Sequence, residues 1–273
     1  MLTKLQMYAN TVNYFLRSQY QHSDWQVPLV SQRDVGPVSK PEFNSLLADY
    51  SADSVFVHVG LSDVNSAFGN ESYDFLVDTL DEHFGSVMAP GFTPSFRSTG
   101  VYHKQFSKPE YGMFARLFLE DADYRTDDAI HSILVKGTYR FDEYDHHDTF
   151  SRDGCWEKFD RENVLYLNIG TPWIISTQLH YLEHFFDVPY VEAPEFPGII
   201  YYDESRYDSV TQSNNTYLHP TKWNRSKIES YLESQNVLSS YTLNGLNIRF
   251  FRSNDLRQVL EPMVTADPYY FVK

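Results

Sequence analysis

Short, nearly unbroken apolar runs alternate along this chain with stretches whose apolar residues recur every three or four positions. Ser54-Val-Phe-Val-His-Val59, Val87-Met-Ala89 and Val164-Leu-Tyr-Leu-Asn-Ile169 are runs of the first kind. They predict strands covered on both faces. Between the first two, Tyr73, Leu76, Val77, Leu80 and Phe84 fall at i, i+3, i+4, i+7 and i+11. That stripe predicts a helix over 72–84, closed by Gly85. Strand, helix and strand in this order make a βαβ unit with parallel pairing.

The remaining elements follow the same logic. Ser39-Lys-Pro-Glu42 has the form of a capping box and predicts a helix over 40–49. Further helices are expected over 110–119, near 153–160, from Ser176 or Thr177 onward, over 226–236, and from Asp255 past Leu260 with Ser253 as cap. Strands are expected over 132–141 and 199–202. Tyr241 to Phe251 reads as a hairpin turning at Asn244-Gly245 in a type I′ turn. Residues 92–108 and 203–222 read as polar loops, and a loop as long as the first is usually functional. Residues 1–37 carry little pattern and read as an N-terminal extension, followed by one domain over 38–273.

Composition narrows the function. The 273 residues carry 37 acidic and 22 basic side chains, a formal charge of −15. This argues against tracking nucleic-acid phosphates and fits a cationic substrate, though solubility explains it equally well. With 21 Tyr and 20 Phe, large rings carry much of the packing. Cys155 is the single cysteine, so neither an internal disulfide nor a cysteine-based zinc cluster is expected. A reducing cytoplasm is the default expectation. No signal-peptide pattern or membrane span is read, and no P-loop, dinucleotide fingerprint or nucleophile elbow occurs. Asn70, Asn214 and Asn224 open Asn-x-Ser/Thr triplets, read as chance.

Candidate chemistry centres on 164–190. Gly170 ends the strand, Pro172 turns the chain, and His180 and Glu183 then share one face of the next helix. An imidazole beside a carboxylate past a strand end suits acid–base work, since open α/β sheets place their sites there. A structural pair on a solvated face is the alternative. His58-Val-Gly60-Leu61-Ser62, ahead of a helix, has the small residues of a phosphate turn, or of a plain tight turn. Arg125-Thr-Asp127-Asp128-Ala-Ile-His131-Ser132 is a polar run feeding a strand. His146-His147 lacks a partner at metal spacing, and no metal site is expected.

In this order the segments resemble the aminoglycoside 3-N-acetyltransferase family. Val57 to Ser62 matches its His-x-Ser/Gly-Leu-Ser strand end, and 72–90 its following helix and strand. Pro109-Glu110-Tyr-Gly112-Met-Phe-Ala-Arg116 echoes its Glu-x-Gly segment. Arg125 to Ser132 aligns with its Arg-Ser-x-His-Pro-x-x-Ser motif, and Thr177-Gln-Leu-His180-Tyr-Leu-Glu183 with its Thr-x-x-His-x-x-Glu segment. The likeness covers about 54–190. Asp128-Ala129 replaces the His-Pro of the resistance enzymes, so the chemistry carries over better than the antibiotic substrate.

The resemblance implies a three-layer α/β/α sandwich with a mostly parallel central sheet and a C-terminal hairpin. It also implies acetyl-coenzyme A (acetyl-CoA) as co-substrate and an amine of an amino sugar as acceptor. His180 would be the general base, Glu183 its orienting partner, and Thr177 a hydroxyl for the oxyanion. His58, Gly60, Leu61, Ser62 and Arg125 would hold the coenzyme, and Asp127 and Asp128 the acceptor's other amines. A non-catalytic sugar- or peptide-binding protein, another acyl group or an O-acyl acceptor stay open, as does a homo-oligomer.

Overall fold

The computed structural model describes residues 34–69, 71–218 and 222–272. The extension expected over 1–37 therefore lies outside the described residues up to 33. From the N-terminal side the elements are α1 (Lys40–Ala48), β1 (Ser54–Val59), α2 (Leu61–Phe68), α3 (Ser72–His83), β2 (Ser86–Pro90), α4 (Phe96–Thr99) and β3 (Val101–His103). Next come α5 (Met113–Asp121), β4 (Tyr124–Arg125), β5 (Ile133–Gly137), α6 (Cys155–Arg161), β6 (Leu165–Ile169) and α7 (Thr177–Phe185). The chain continues with β7 (Val191–Glu192), β8 (Glu195–Tyr201), β9 (Tyr207–Ser213) and β10 (Thr216–Tyr217). It closes with α8 (Arg225–Ser234), β11 (Ser239–Leu243), β12 (Leu246–Arg252) and α9 (Ser253–Ala266).

Seven strands make one sheet in the order β11-β12-β6-β1-β2-β5-β4. The three apolar runs sit at its centre and pair in parallel, β6 with β1 and β1 with β2. Antiparallel strands flank them: the hairpin β11–β12 on one side, β5 and β4 on the other. Within this sheet, parallel pairing is thus confined to the strands that are apolar on both faces, as burial under two helical layers requires. Alternation along β1 shows both layers. Val55 and Val57 join Phe43, Leu47, Leu76, Leu80, Phe114 and Phe118 on one face, under α1, α3 and α5. Phe56 joins Trp156, Phe159, Leu179, Leu182, Ile228 and Leu256 on the other, under α6 to α9. The α/β/α sandwich is therefore the fold.

The Asn244-Gly245 turn forms as expected, with φ of 43° and 89° respectively. The capping box does not. Ser39 precedes α1, but its side chain caps nothing, and only its carbonyl oxygen receives the Phe43 N–H. Gly60 to Asp63 is not a bare turn, since α2 starts at Leu61. The two polar loops contain structure as well: α4 and β3 in the first, β9 and β10 in the second. β8 and β9 form a hairpin and β3 pairs with β8 in a small separate sheet. Tyr-Asp-Ser-Val-Thr-Gln-Ser in β9 has no apolar period, because that strand buries almost nothing except Gln212. Main-chain pairing with β8 makes it a strand. No helix among the described residues is long and apolar enough to cross a membrane.

Candidate active site

The C-terminal ends of β1 and β6 meet at two glycines. A side chain on Gly60 would come within 2.3 Å of the Gly170 carbonyl oxygen, and one on Gly170 within 2.7 Å of the Gly60 oxygen. Gly170 also has a φ of 66°, which favours glycine. The crossing lets the chain leave both strands at the same edge. Asn168 then shapes the exit from β6. Its Oδ1 accepts from Ile175 N (2.6 Å) and its Nδ2 donates to Ile175 O (3.1 Å), which pins the 171–175 loop and sets where α7 begins.

On α7 the His180–Glu183 pair is formed, with Nδ1 3.1 Å from Oε2. Its surroundings are richer than the spacing foretold. Glu183 is 1% exposed. Its Oε1 accepts from Trp223 Nε1 (2.7 Å) and Tyr190 OH (3.1 Å), and its Oε2 from Tyr217 OH (2.9 Å). Burial and the adjacent carboxylate push the phenols of Tyr190 and Tyr217 up, so both stay protonated donors. A carboxylate ringed by donors accepts from the His180 Nδ1–H too, which leaves Nε2 as the ring's free acceptor. The imidazole lies against Trp223, with ring centroids 4.4 Å apart, and its side chain is 35% exposed. One turn earlier on the same face stands Thr177, buried at the first position of α7. Tyr190, Tyr217 and Trp223 were not foreseen. They come from the segments after α7, where no spacing marks them.

The other expected residues divide. His58 is buried on β1 with no partner on Nε2, and burial lowers its pKa to about 3. It can offer a hydrogen bond but not a counter-charge. Leu61 and Ser62 open α2, where main-chain N–H groups lack intrahelical partners, and Ser62 is exposed. Arg125 is spent on the fold. Its guanidinium donates to Ser132 Oγ (3.0 Å) and to the carbonyl oxygens of Lys104 (3.0 Å), Ser107 (2.6 Å) and Gly91, stapling the 91–107 segment to β4. Asp127 is paired with Lys104. Asp128 is buried, and its Oδ1 accepts from Ile130 N (2.8 Å) and His131 N (2.7 Å), closing the loop before β5. The expectation that these two carboxylates receive an acceptor finds no support in this placement. Cys155 is buried, and burial pushes its thiol well above the ordinary range.

A second set of polar groups, unassigned from sequence, lies beside His180. His131, from the loop before β5, touches Phe150, whose ring also meets His180. Asn214 Nδ2 lies 2.7 Å from His131 Nδ1. Arg97 reaches Asn214 Oδ1 and the Asn215 carbonyl oxygen. His131 is held well below the ordinary histidine range, by burial first and by Arg97 next.

No curated protein matches the sequence. Several solved structures share the fold at low identity. The YokD protein from Bacillus subtilis is 13% identical, with 88% of this chain and 97% of that one covered at a TM-score of 0.69. AAC-IIIb, solved as a binary complex with CoASH, is 14% identical over 84% of this chain and 97% of its own, TM-score 0.66. AAC-VIa bound to sisomicin is 16% identical over 84% and 98%, TM-score 0.63. The family model for aminoglycoside 3-N-acetyltransferases matches residues 56–265, from β1 into α9, and so takes in both the central sheet and the α7 site. The chain belongs to the aminoglycoside 3-N-acetyltransferase family.

Proposed function

We propose that this protein is an acetyl-CoA-dependent N-acetyltransferase acting on an amine of an amino sugar, with direct transfer and His180 as general base. The observation that carries the reading is the caged pair, His180 Nδ1 on a buried Glu183 that takes three further donors. Family membership supports acyl transfer.

Near pH 7 an acceptor amine arrives mostly protonated; it gives one proton to solvent before it attacks and sheds a second as the amide forms. His180, with Nδ1 held on Glu183 and Nε2 open, is placed to take that second proton. Glu183 holds the tautomer that leaves Nε2 open and faces the imidazolium once it forms. Acetyl-CoA supplies the acyl group as a thioester. In the transfer the amine nitrogen forms the N–C bond, the C–S bond breaks with its electron pair on sulfur, and the amine proton ends on His180. A thiolate with a pKa of roughly 8.5 needs little acid help to leave. Cys155 is buried and protonated, so no acyl-enzyme is invoked.

For the coenzyme, the opening of α2 at Leu61 and Ser62 fits an anionic group, and His58 fits a polar one without charge. Gly60 belongs to the floor, where a side chain would strike Gly170. For the acceptor, the Asp128-Ala129 departure favours a smaller amino sugar over a bulky aminoglycoside. The test is free-thiol release from acetyl-CoA over a panel of aminoglycosides and nucleotide-linked amino sugars. Release with at least one amine, abolished by His180→Ala, is expected. No release with any amine would overturn the assignment.

A further inference from the structure

The partners of His131 fix the direction of each hydrogen bond around it. Arg97 has only hydrogens to give, so the atom of Asn214 facing it is Oδ1. This turns the amide nitrogen toward His131 Nδ1 at 2.7 Å, and its second hydrogen toward Thr149 Oγ1 at 2.9 Å. Asn214 is 1% exposed, so its orientation is fixed by these three partners. His131 Nδ1 is then an acceptor, and the neutral ring carries its hydrogen on Nε2. An imidazolium would need Nδ1 to donate to an amide NH2, which cannot accept. The contact itself therefore opposes protonation, in the same direction as burial and the Arg97 charge. Nε2–H meets no partner among the described residues.

This donor is next to the proposed base. The His131 and His180 rings lie 5.4 and 6.3 Å from the Phe150 ring, centroid to centroid. One anchor serves both: Asn214 holds the His131 ring, and Asn215 Nδ2 donates to the His180 carbonyl oxygen at 3.0 Å. A ring fixed as Nε2–H cannot take a proton there. A neutral donor also stabilises an oxygen that gains negative charge without handing its proton over.

We propose that His131 is a further catalytic residue, donating its Nε2–H to the acyl oxygen that becomes negative during transfer, with Asn214 and Arg97 as positioning residues. The inference rests on the acyl-transfer reading. As the amide forms, His180 receives the proton that the amine nitrogen sheds, while His131 keeps its own and only shares it with oxygen.

Asn214→Asp is the discriminating variant, because it is nearly isosteric and reverses the logic. A carboxylate accepts from Arg97 and also from His131 Nδ1–H, so it moves the hydrogen to Nδ1 and leaves Nε2 a lone pair. Imidazole 15N–1H correlation spectra of the free protein should show His131 as Nε2–H in wild type, still neutral at pH 6.5, and as Nδ1–H in the variant. Turnover should fall about 10²- to 10³-fold, the loss expected for an oxyanion donor, with the acceptor's KM within about twofold. His131→Ala should match that loss, and His131→Gln, which keeps an N–H donor, should recover part of it. A wild-type Nδ1–H tautomer, or a variant with unchanged kcat and raised KM, would overturn the proposal. Absence of wild-type turnover on every amine would instead remove the acyl-transfer reading, with the tautomer still read from the spectra.

Discussion

Two histidines meet the Phe150 ring and are held by opposite chemistry. His180 sits on a carboxylate, so its Nδ1 gives a hydrogen and its Nε2 is a lone pair. His131 sits on an amide nitrogen, so its Nδ1 takes a hydrogen and its Nε2 gives one. The His180 side chain is a third exposed, and the half-buried His131 lies beside a guanidinium and is held well below the ordinary histidine range. In the proposed reaction the same side chain serves as a base in one place and as an electrophile in the other. What differs is one atom of the partner, a carboxylate oxygen against an amide nitrogen, together with the charges behind it.

Substitution at either histidine separates the two roles. On the His180 side the largest effect belongs to His180→Ala, which should fold and lose about 10²- to 10⁴-fold in kcat. Near-normal turnover would sink the base assignment. Glu183→Gln gives His180 an amide partner of the kind that His131 has. It removes a charge-assisted hydrogen bond of roughly 1.5–3 kcal/mol, which translates to about 10- to 100-fold in turnover. A variant as fast as wild type would mean the carboxylate only fills space.

His58 sharpens the contrast as a third imidazole, neutral by burial alone. The folded pKa of about 3 lies below the ordinary value of 6.5, so the unfolded chain binds more protons between those two values. Stability from this group is therefore full above pH 6.5 and falls with acid, by up to about 1.4 kcal/mol per pH unit. Denaturant unfolding from pH 7 to 4 should show a steep loss, flattened in His58→Leu. An identical slope in the variant would move the acid sensitivity to other groups, His131 among them.

The smallest expected effect is on acceptor capture. If the −15 charge steers a cationic amine, kcat/KM should drop a few-fold as the Debye length shrinks to about 3 Å in 1 M salt, with kcat unchanged. A salt-independent kcat/KM would leave both histidines in place and remove the steering.

Much of the scaffold was legible in the sequence. β1, β2 and β6 announce themselves because strands buried on both faces must be apolar throughout, and α3 because one face must be. The Asn244-Gly245 hairpin is written in two residues that tolerate positive φ. His180 and Glu183 are three apart on one helix, so their contact is local and their spacing foretells it. The tertiary structure alone decided everything that depends on contacts between distant segments. Trp223 reaches Glu183 from 40 residues away, Asn214 reaches His131 from 83, and Arg97 reaches Asn214 from 117. A polar side chain carries no period that says which distant atom it will meet. The same limit explains Arg125, Asp127 and Asp128, whose residue types suit ligands as well as loops. Folding places Gly91, Lys104 and the His131 main chain within their reach, and a buried donor or acceptor takes the nearest partner because leaving it unpaired costs about 1–3 kcal/mol.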